Sequence, residues 1–140
     1  MKALFDTCVI IDVLQHREPF WQDSYAASLA VANRQIEGFI TAKSFTDICY
    51  LTHRQTHDEG KTRNILSTLL TVFELIDTAA MDCRKALQTN VRDYEDAVMM
   101  ETAARSAMDC ILTRNLRDYQ ASPVPVLTPA DLLKRISPSA

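Results

Sequence analysis

At 140 residues, of which 47% are hydrophobic, the chain is long enough to bury the core of one domain and too short for two typical domains. Its two glycines are too few for the many turns of an all-β sandwich, so we expect helices to dominate. A net charge of −3 excludes a basic surface that would bind nucleic acid over its whole extent, so any nucleic acid must be held locally.

Short apolar runs alternate with segments of helical periodicity along the chain. Compact apolar runs predict buried strands, and apolar residues spaced three or four apart predict helices. The first half is predicted to contain a strand at residues 2–5, helices at 9–14 and 20–36, a strand at 39–41, and helices at 43–57 and 62–72. The second half is predicted to contain a strand at 73–76, helices at 81–88 and 94–108, strands at 110–113 and 124–127, and a closing helix at 128–136. Gly38 and Asp58-Glu59-Gly60 are expected to interrupt the helices.

This alternation predicts an α/β fold. Short buried strands separated by helices are typical of a parallel sheet covered on both faces. We therefore expect a three-layer α/β/α sandwich with a central parallel sheet of about five short strands. A single domain is expected over residues 1–136, followed by a frayed tail at 137–140. Ligands of such sheets bind at the carboxyl ends of the strands, so functional residues are expected there.

The cysteines and the N-terminus favour a soluble, cytoplasmic protein. The cysteines show no C-x-x-C spacing and have apolar neighbours, which is typical of free thiols in a reducing compartment. Asp6 and Asp12 interrupt the apolar stretch that a signal peptide would need. No other apolar run is long enough to cross a bilayer, so no membrane partner is expected.

Four aspartates fall where this fold would place a functional site. Asp6 follows the first strand, and Asp47 lies early in the helix after the second strand. Asp96 lies in the first turn of the helix before the fourth strand, and Asp118 follows that strand. Clustered carboxylates suit Mg²⁺, which prefers oxygen ligands and can activate water for phosphodiester hydrolysis. For Asp47 or Asp96 alone, the simpler alternative is that the carboxylate stabilises the N-terminus of its helix.

The same segments resemble the PIN-domain family over nearly the whole chain, in order and in spacing. The segments that carry the resemblance are Asp6-Thr7 with Val9-Ile10-Ile11-Asp12-Val13-Leu14, then Asp93-Tyr94-Glu95-Asp96-Ala97, Thr113-Arg114-Asn115-Leu116-Arg117-Asp118-Tyr119 and Val126-Leu127-Thr128-Pro129. The resemblance implies a Mg²⁺- or Mn²⁺-dependent ribonuclease of the kind that serves as the toxin of a bacterial toxin–antitoxin pair. RNA would be its substrate and a cognate antitoxin its partner.

The resemblance also implies roles for particular residues. Asp6, Asp96 and Asp118 take the places of metal-binding acidic residues. Thr113 and Asn115 match the polar residues that hold the site together. Asp47 stands where many members of the family have glutamate. Because aspartate is one methylene shorter, Asp47 would reach a metal ion only through water.

Other side chains near the proposed site have two interpretations each. Arg114 and Arg117 flank the site and are candidates for contact with RNA. Cys8 lies two residues from Asp6 and could be reactive, although a small buried hydrophobic residue is the more common role for such a cysteine.

Two rival functions compete with the ribonuclease, and the sequence also predicts an oligomeric state. A phosphoaspartate hydrolase would need a second aspartate at Cys8, and a receiver domain would need a lysine in the segment 113–115, so both are disfavoured. A catalytically weak PIN-like module that binds RNA or a protein remains the alternative function. The apolar residues between Phe20 and Ile36, with the helices at 43–72, favour a homodimer.

Overall fold

The computed structural model describes residues 1–137. Of the tail predicted at 137–140, residues 138–140 therefore lie outside the described residues. The strands are β1 Lys2–Phe5, β2 Glu37–Thr41, β3 Glu74–Ile76, β4 Cys110–Leu112 and β5 Val126–Leu127. The helices are α1 Thr7–Leu14, α2 Trp21–Ala32, α3 Ala42–Thr56, α4 Glu59–Val72, α5 Ala80–Ala86, α6 Tyr94–Arg105 and α7 Pro129–Ile136, with a 3-10 turn at Leu116–Tyr119.

The five strands form one parallel sheet in the order β3-β2-β1-β4-β5, which confirms the predicted fold class. The central strand β1 pairs with β2 on one side and with β4 on the other, so that Leu4 lies opposite Phe39 and Ile111. The chain leaves β1 toward β2 and β3, then returns to the other side of β1 as β4. At such a reversal the connecting helices diverge and leave a crevice beyond the strand ends.

Alternating residues of β1 enter two separate cores, one on each face of the sheet. Phe5 packs with residues of α1, α2, α3, α4 and α7 on one face. Leu4 packs with Met99 and Met100 of α6 and with Tyr119 on the other face. Side chains of a strand alternate between faces, so the three buried residues of β1, Ala3 to Phe5, join the two cores and fix where the carboxyl end of the strand lies.

Several element boundaries differ from the predictions; the helix predicted at 94–108, for example, ends at Arg105. Gly38 lies inside β2 instead of preceding the strand. A Cβ at this position would be 2.7 Å from the Val31 side chain, so only glycine allows the strand to approach α2 this closely. The helix predicted to begin at Thr62 begins at Glu59, since the Asp58 side chain accepts a hydrogen bond from the Lys61 amide and caps it. The helix predicted to reach residue 36 ends at Ala32.

The four cysteines are free thiols, and Cys110 is buried in the core. Burial raises the pKa of Cys8 to about 11 and that of Cys110 to about 11, so both thiols are protonated at neutral pH. This direction favours the interpretation of Cys8 as a small packing residue over a reactive thiol. Among residues 1–137, no helix is both long enough and apolar enough to span a membrane.

Candidate active site

A cleft of about 440 Å³ lies at the carboxyl ends of β1 and β2, between α3 on one side and α5 and α6 on the other. Asp6, which directly follows β1, and Thr41, which ends β2, form part of its lining. Asp47 from α3 and Asp96 from α6 line the same cleft. The structure therefore places three of the four predicted acidic residues around one cavity, where the fold was expected to bind a ligand.

Asp6 is held by the loop that follows β4. The Thr113 hydroxyl donates a hydrogen bond of 2.8 Å to Asp6 Oδ2 and accepts one of 3.1 Å from the backbone N–H of Asn115. Burial raises the pKa of Asp6, and hydrogen bonds from Thr113, Cys8 and the Thr7 backbone only partly oppose that effect. Thr113 thus fixes the orientation of Asp6, whereas Asn115 contributes its backbone.

Asp96 lies at the start of α6, and its carboxylate accepts a hydrogen bond of 3.1 Å from the hydroxyl of Tyr119. Burial, with the neighbouring charges of Asp93 and Asp6, raises the pKa of Asp96 to about 6. Burial, with the charges of Asp6 and Asp96, raises the pKa of Tyr119. Its hydroxyl therefore stays protonated and donates the hydrogen bond to Asp96. Sequence reasoning missed Tyr119 as a site residue, although it directly follows Asp118.

Asp47 is paired with a lysine. Lys43 Nζ lies 2.6 Å from the Asp47 carboxylate and 2.9 Å from that of Glu95. Because Asp47 belongs to α3 and Glu95 to α6, the lysine joins the two walls of the cleft. Sequence reasoning missed Lys43, which its i,i+4 spacing to Asp47 could have indicated.

Asp118 is exposed and lies beside the cleft. It belongs to the 3-10 turn and lines a neighbouring hollow together with Arg92, Asp93 and Arg117. It is still close enough for its charge to raise the pKa of Asp96. Its carboxylate is thus near the Asp6–Asp96 pair without sharing their cleft.

The oxygen ligands fit a hard divalent cation. Within the described part of the chain, no three Asp, Glu, His or Cys side chains are grouped closely enough to hold a metal ion by themselves. Mg²⁺ needs no such cage, because proteins usually bind it through one or two carboxylates and leave its other positions to water and phosphate oxygens. Asp6 and Asp96 supply two carboxylates whose mutual repulsion a cation would relieve. This donor set suits Mg²⁺ or Mn²⁺ better than Zn²⁺, which favours nitrogen and sulfur.

An ion pair behind the site anchors the loop that carries Thr113. Asp12, which is 0% exposed, accepts a hydrogen bond of 2.9 Å from Arg114 Nε. The Arg114 guanidinium also lies 4.2 Å from the centre of the Phe20 ring. Arg114 was a candidate for contact with RNA, but the structure places it in this internal pair. Arg117, by contrast, is exposed beside Asp118.

Comparisons with known proteins agree with this fold. A family model described as the PIN domain matches residues 2–117. A chain of a toxin–antitoxin complex from Klebsiella pneumoniae is 25% identical, with a TM-score of 0.64, and the match covers 91% of this chain and 97% of that one. A chain of VapBC2 from Rickettsia felis, crystallised with a promoter DNA fragment, is 16% identical, with a TM-score of 0.67 and coverage of 91% and 98%.

VapC20 from Mycobacterium tuberculosis, a toxin that cleaves the sarcin-ricin loop, is 11% identical, with a TM-score of 0.61 and coverage of 78% of this chain and 86% of that one. No curated protein matches the chain. The structural likenesses at such low identity concern the fold, whereas the family model covers most of the sequence. The chain therefore belongs to the PIN-domain family.

Proposed function

We propose that this protein is a Mg²⁺- or Mn²⁺-dependent endoribonuclease and the toxin of a toxin–antitoxin pair. The observation that carries the proposal is the pairing of Asp6 and Asp96 in one cleft, with the pKa of each carboxyl raised, in a chain of the PIN-domain family. Perturbed carboxyls that share a cleft favour a catalytic site over surface charge. The protonated thiol of Cys8 is a poor nucleophile, so water would attack the phosphorus.

Asp6 and Asp96 would hold the cation, with Asp118 as a third ligand directly or through water. A divalent cation bound there would orient and acidify a water molecule and neutralise the charge that develops on the phosphodiester. Thr113 and Tyr119 would keep the two carboxylates in position. In the reaction, the attacking water loses a proton as its oxygen bonds to phosphorus, the bond from phosphorus to the leaving ribose oxygen breaks, and that oxygen takes up a proton, so that no net proton is gained or lost.

Positive side chains around the cleft would hold the RNA backbone. Arg92 and Arg117 line the adjoining hollow, whereas Lys43 at the cleft wall is already paired with Asp47 and Glu95. Phosphate contacts of this kind fix the position of a nucleic acid without reading its sequence. They would supply locally the charge that the acidic chain lacks as a whole.

Cleavage of single-stranded RNA by the purified protein tests the proposal. Cleavage should require Mg²⁺ or Mn²⁺ and stop in excess chelator, because the carboxylates of Asp6 and Asp96 suit a divalent cation that activates water. It should also increase between about pH 5 and about pH 7, since the carboxyl of Asp96 has a pKa of about 6 and must be ionised to bind a cation. Full activity in chelator, or a flat profile over this range, would contradict the mechanism.

Asp96→Asn should leave the metal-free protein at least as stable as the wild type. The pKa of Asp96 is about 6 when folded against an ordinary 3.8, so folding favours the protonated form and the wild type loses stability as pH rises through this window. At neutral pH the variant should gain about 1 kcal/mol at most, because water screens a partly exposed carboxylate. Thermal melts in chelator across this pH range measure the difference.

The same variant should respond less to metal. Wild-type protein should gain about 2.7 kcal/mol at a cation concentration about a hundred times its dissociation constant, and a variant that lacks a ligand should gain much less at that concentration. A destabilised metal-free variant with an unchanged response to metal would make Asp96 a helix-stabilising residue instead of a ligand.

The neighbouring structures support an antitoxin partner for this chain. Similar folds were crystallised in toxin–antitoxin complexes, two of them bound to DNA fragments. We propose that an antitoxin binds this protein too. We also propose that this protein acts in the cytoplasm, where its free thiols would stay reduced.

We also propose a homodimer. Phe20, Tyr25 and Leu29 are 40%, 40% and 41% exposed, and an apolar groove between α1, α2 and α4 adjoins Tyr25 and Leu29. A second copy of the chain that packs on this face would bury these side chains and fill the groove. Light scattering at micromolar concentration should give twice the monomer mass of 15.8 kDa. A monomer mass under these conditions would refute the dimer.

The pairing of Asp47 with Lys43 favours a second candidate, a PIN-like module that binds RNA or a protein with little catalysis. With Asp47 neutralised, the site has fewer free ligands than a four-carboxylate centre. RNA binding without cleavage in saturating Mg²⁺ or Mn²⁺ would support this module over the ribonuclease.

A further inference from the structure

The cleft extends beyond the carboxylates into a region with a different lining. Along α3 it passes from Lys43 and Asp47 to Tyr50 and Leu51, and along α6 from Asp96 to Val98 and beyond. The lining of this part is mainly apolar and aromatic. The whole cleft, including its acidic end, has a volume of about 440 Å³, within the range of about 300–1,000 Å³ that is typical of ligand pockets. A divalent cation and a phosphate would fill only the acidic end.

Two tyrosine rings in this lining are available for stacking. Tyr50 is 64% exposed, and the Arg54 guanidinium lies 5.8 Å from the centre of its ring. Tyr94 is 43% exposed, and its hydroxyl donates a hydrogen bond of 2.8 Å to the Cys83 carbonyl, which fixes the ring. Exposed aromatic rings beside a cation are the usual platforms for unstacked bases, because every base has a π-face and its phosphate is anionic.

A buried hydroxyl without a partner also lines this cleft. Thr78 Oγ1 is enclosed by protein and makes no hydrogen bond among the described residues. A buried polar atom without a partner costs free energy, and such atoms are rare in folded proteins. Because this hydroxyl makes no hydrogen bond among the described residues, rotation of Thr78 about its Cα–Cβ bond would break none, and Thr78 itself lines the cleft. A ligand with a polar edge would supply the missing partner.

We propose that this part of the cleft is a nucleobase subsite that binds one unstacked base of single-stranded RNA. The base stacks on Tyr50, with the Tyr94 ring as the second aromatic surface, and its polar edge meets the hydroxyl of Thr78. Arg54 contacts the phosphate of the same nucleotide. The subsite rests on the proposed ribonuclease function and adds to it a preference for one base next to the cleaved bond.

Binding of short, fluorescently labelled RNA homopolymers of A, C and U, measured by anisotropy in chelator at low ionic strength, tests the subsite without any cleavage. Tyr50→Leu should weaken binding of all three by about tenfold, because it removes one stacking contact, whereas Tyr50→Phe should bind as the wild type does. Thr78→Val should reduce the preference for the best base to near equality, because valine keeps the shape and loses the hydroxyl.

Thr52→Val is a matched control for Thr78→Val. Thr52 Oγ1 is also buried and unpartnered among the described residues, but Thr52 is not part of the cleft lining. Both variants should melt no lower than the wild type, and Thr52→Val should keep the wild-type base preference. A clearly lower melting temperature for Thr78→Val would show an internal partner for the hydroxyl and overturn its role.

Tyr50→Leu with wild-type affinity, or Thr78→Val with an unchanged base preference, would overturn the subsite even if the protein cleaves RNA. Base-dependent binding that these variants abolish, in a protein that cuts no RNA in Mg²⁺ or Mn²⁺, would support the subsite and reject the proposed catalysis. The two proposals therefore fail separately.

Discussion

Asp6→Asn is expected to reduce metal-dependent RNA cleavage by at least about a hundredfold, because it removes the negative charge at the centre of the proposed cation site. The fold should survive the change. Asparagine has the same shape, and its carbonyl oxygen can accept the hydrogen bond of 2.8 Å that Thr113 donates to Asp6. A loss of activity with an intact fold would mark Asp6 as a functional residue rather than a structural one.

The stability of this variant should depend on pH in a particular direction. Burial raises the pKa of Asp6 in the folded protein, so ionisation of this carboxyl opposes folding. In chelator, the wild type should therefore lose stability relative to Asp6→Asn as pH rises above the ordinary range of an aspartate, and the difference should vanish at lower pH. Thermal melts at several pH values measure it.

Asp23→Asn is the matched control, since Asp23 is exposed in the first turn of α2 and does not line the cleft. It should keep wild-type activity. Equal activity of the Asp6→Asn and wild-type proteins in Mg²⁺ and in Mn²⁺ would contradict the assignment of the site. A collapse of the fold on Asp6→Asn would instead make the carboxylate part of the structural core.

Much of the framework could be predicted from local patterns in the sequence. The strand before Asp6 is a run of apolar residues, and the alternation of strands and helices predicts a parallel sheet, whereas the order β3-β2-β1-β4-β5 came only from the structure. Because parallel strands end at one edge of the sheet, the position of Asp6 there needed no tertiary information. The same reasoning brought Asp96 to that edge, and both aspartates line the cleft.

The partners of the site residues could not be predicted in the same way. Lys43 reaches Glu95 across 52 residues of sequence, and Arg114 reaches Asp12 across 102. Such contacts depend on how helices pack on the sheet, which periodicity does not specify. Asp12 sits within an apolar helix, where it interrupted the hydrophobic pattern without indicating its partner. The available signal was a charged residue in an otherwise apolar helix, which could have indicated a buried ion pair but not the identity of the partner.

Arg114→Met is expected to destabilise the protein by about 3–5 kcal/mol, since it leaves the charge of a completely buried aspartate without a partner. Asp12 is 0% exposed, and Arg114 supplies its salt bridge at 2.9 Å. A loss of this size should lower the melting temperature by about 10 °C or more. Arg117→Met, which removes an exposed arginine from the same loop, should change stability by no more than about 0.5 kcal/mol.

The double variant Asp12→Leu/Arg114→Met separates the contribution of this ion pair to stability from its contribution to the position of the site. Replacement of both charges by apolar side chains leaves no unpaired buried charge, so most of the lost stability should return. RNA cleavage should stay low, because the loop that brings Thr113 to Asp6 has lost its anchor on α1. Denaturant unfolding and cleavage assays on the same preparations measure both effects. Recovery of stability and activity together would show that Asp12 and Arg114 serve the core alone, while recovery of stability alone would show that the pair positions the site.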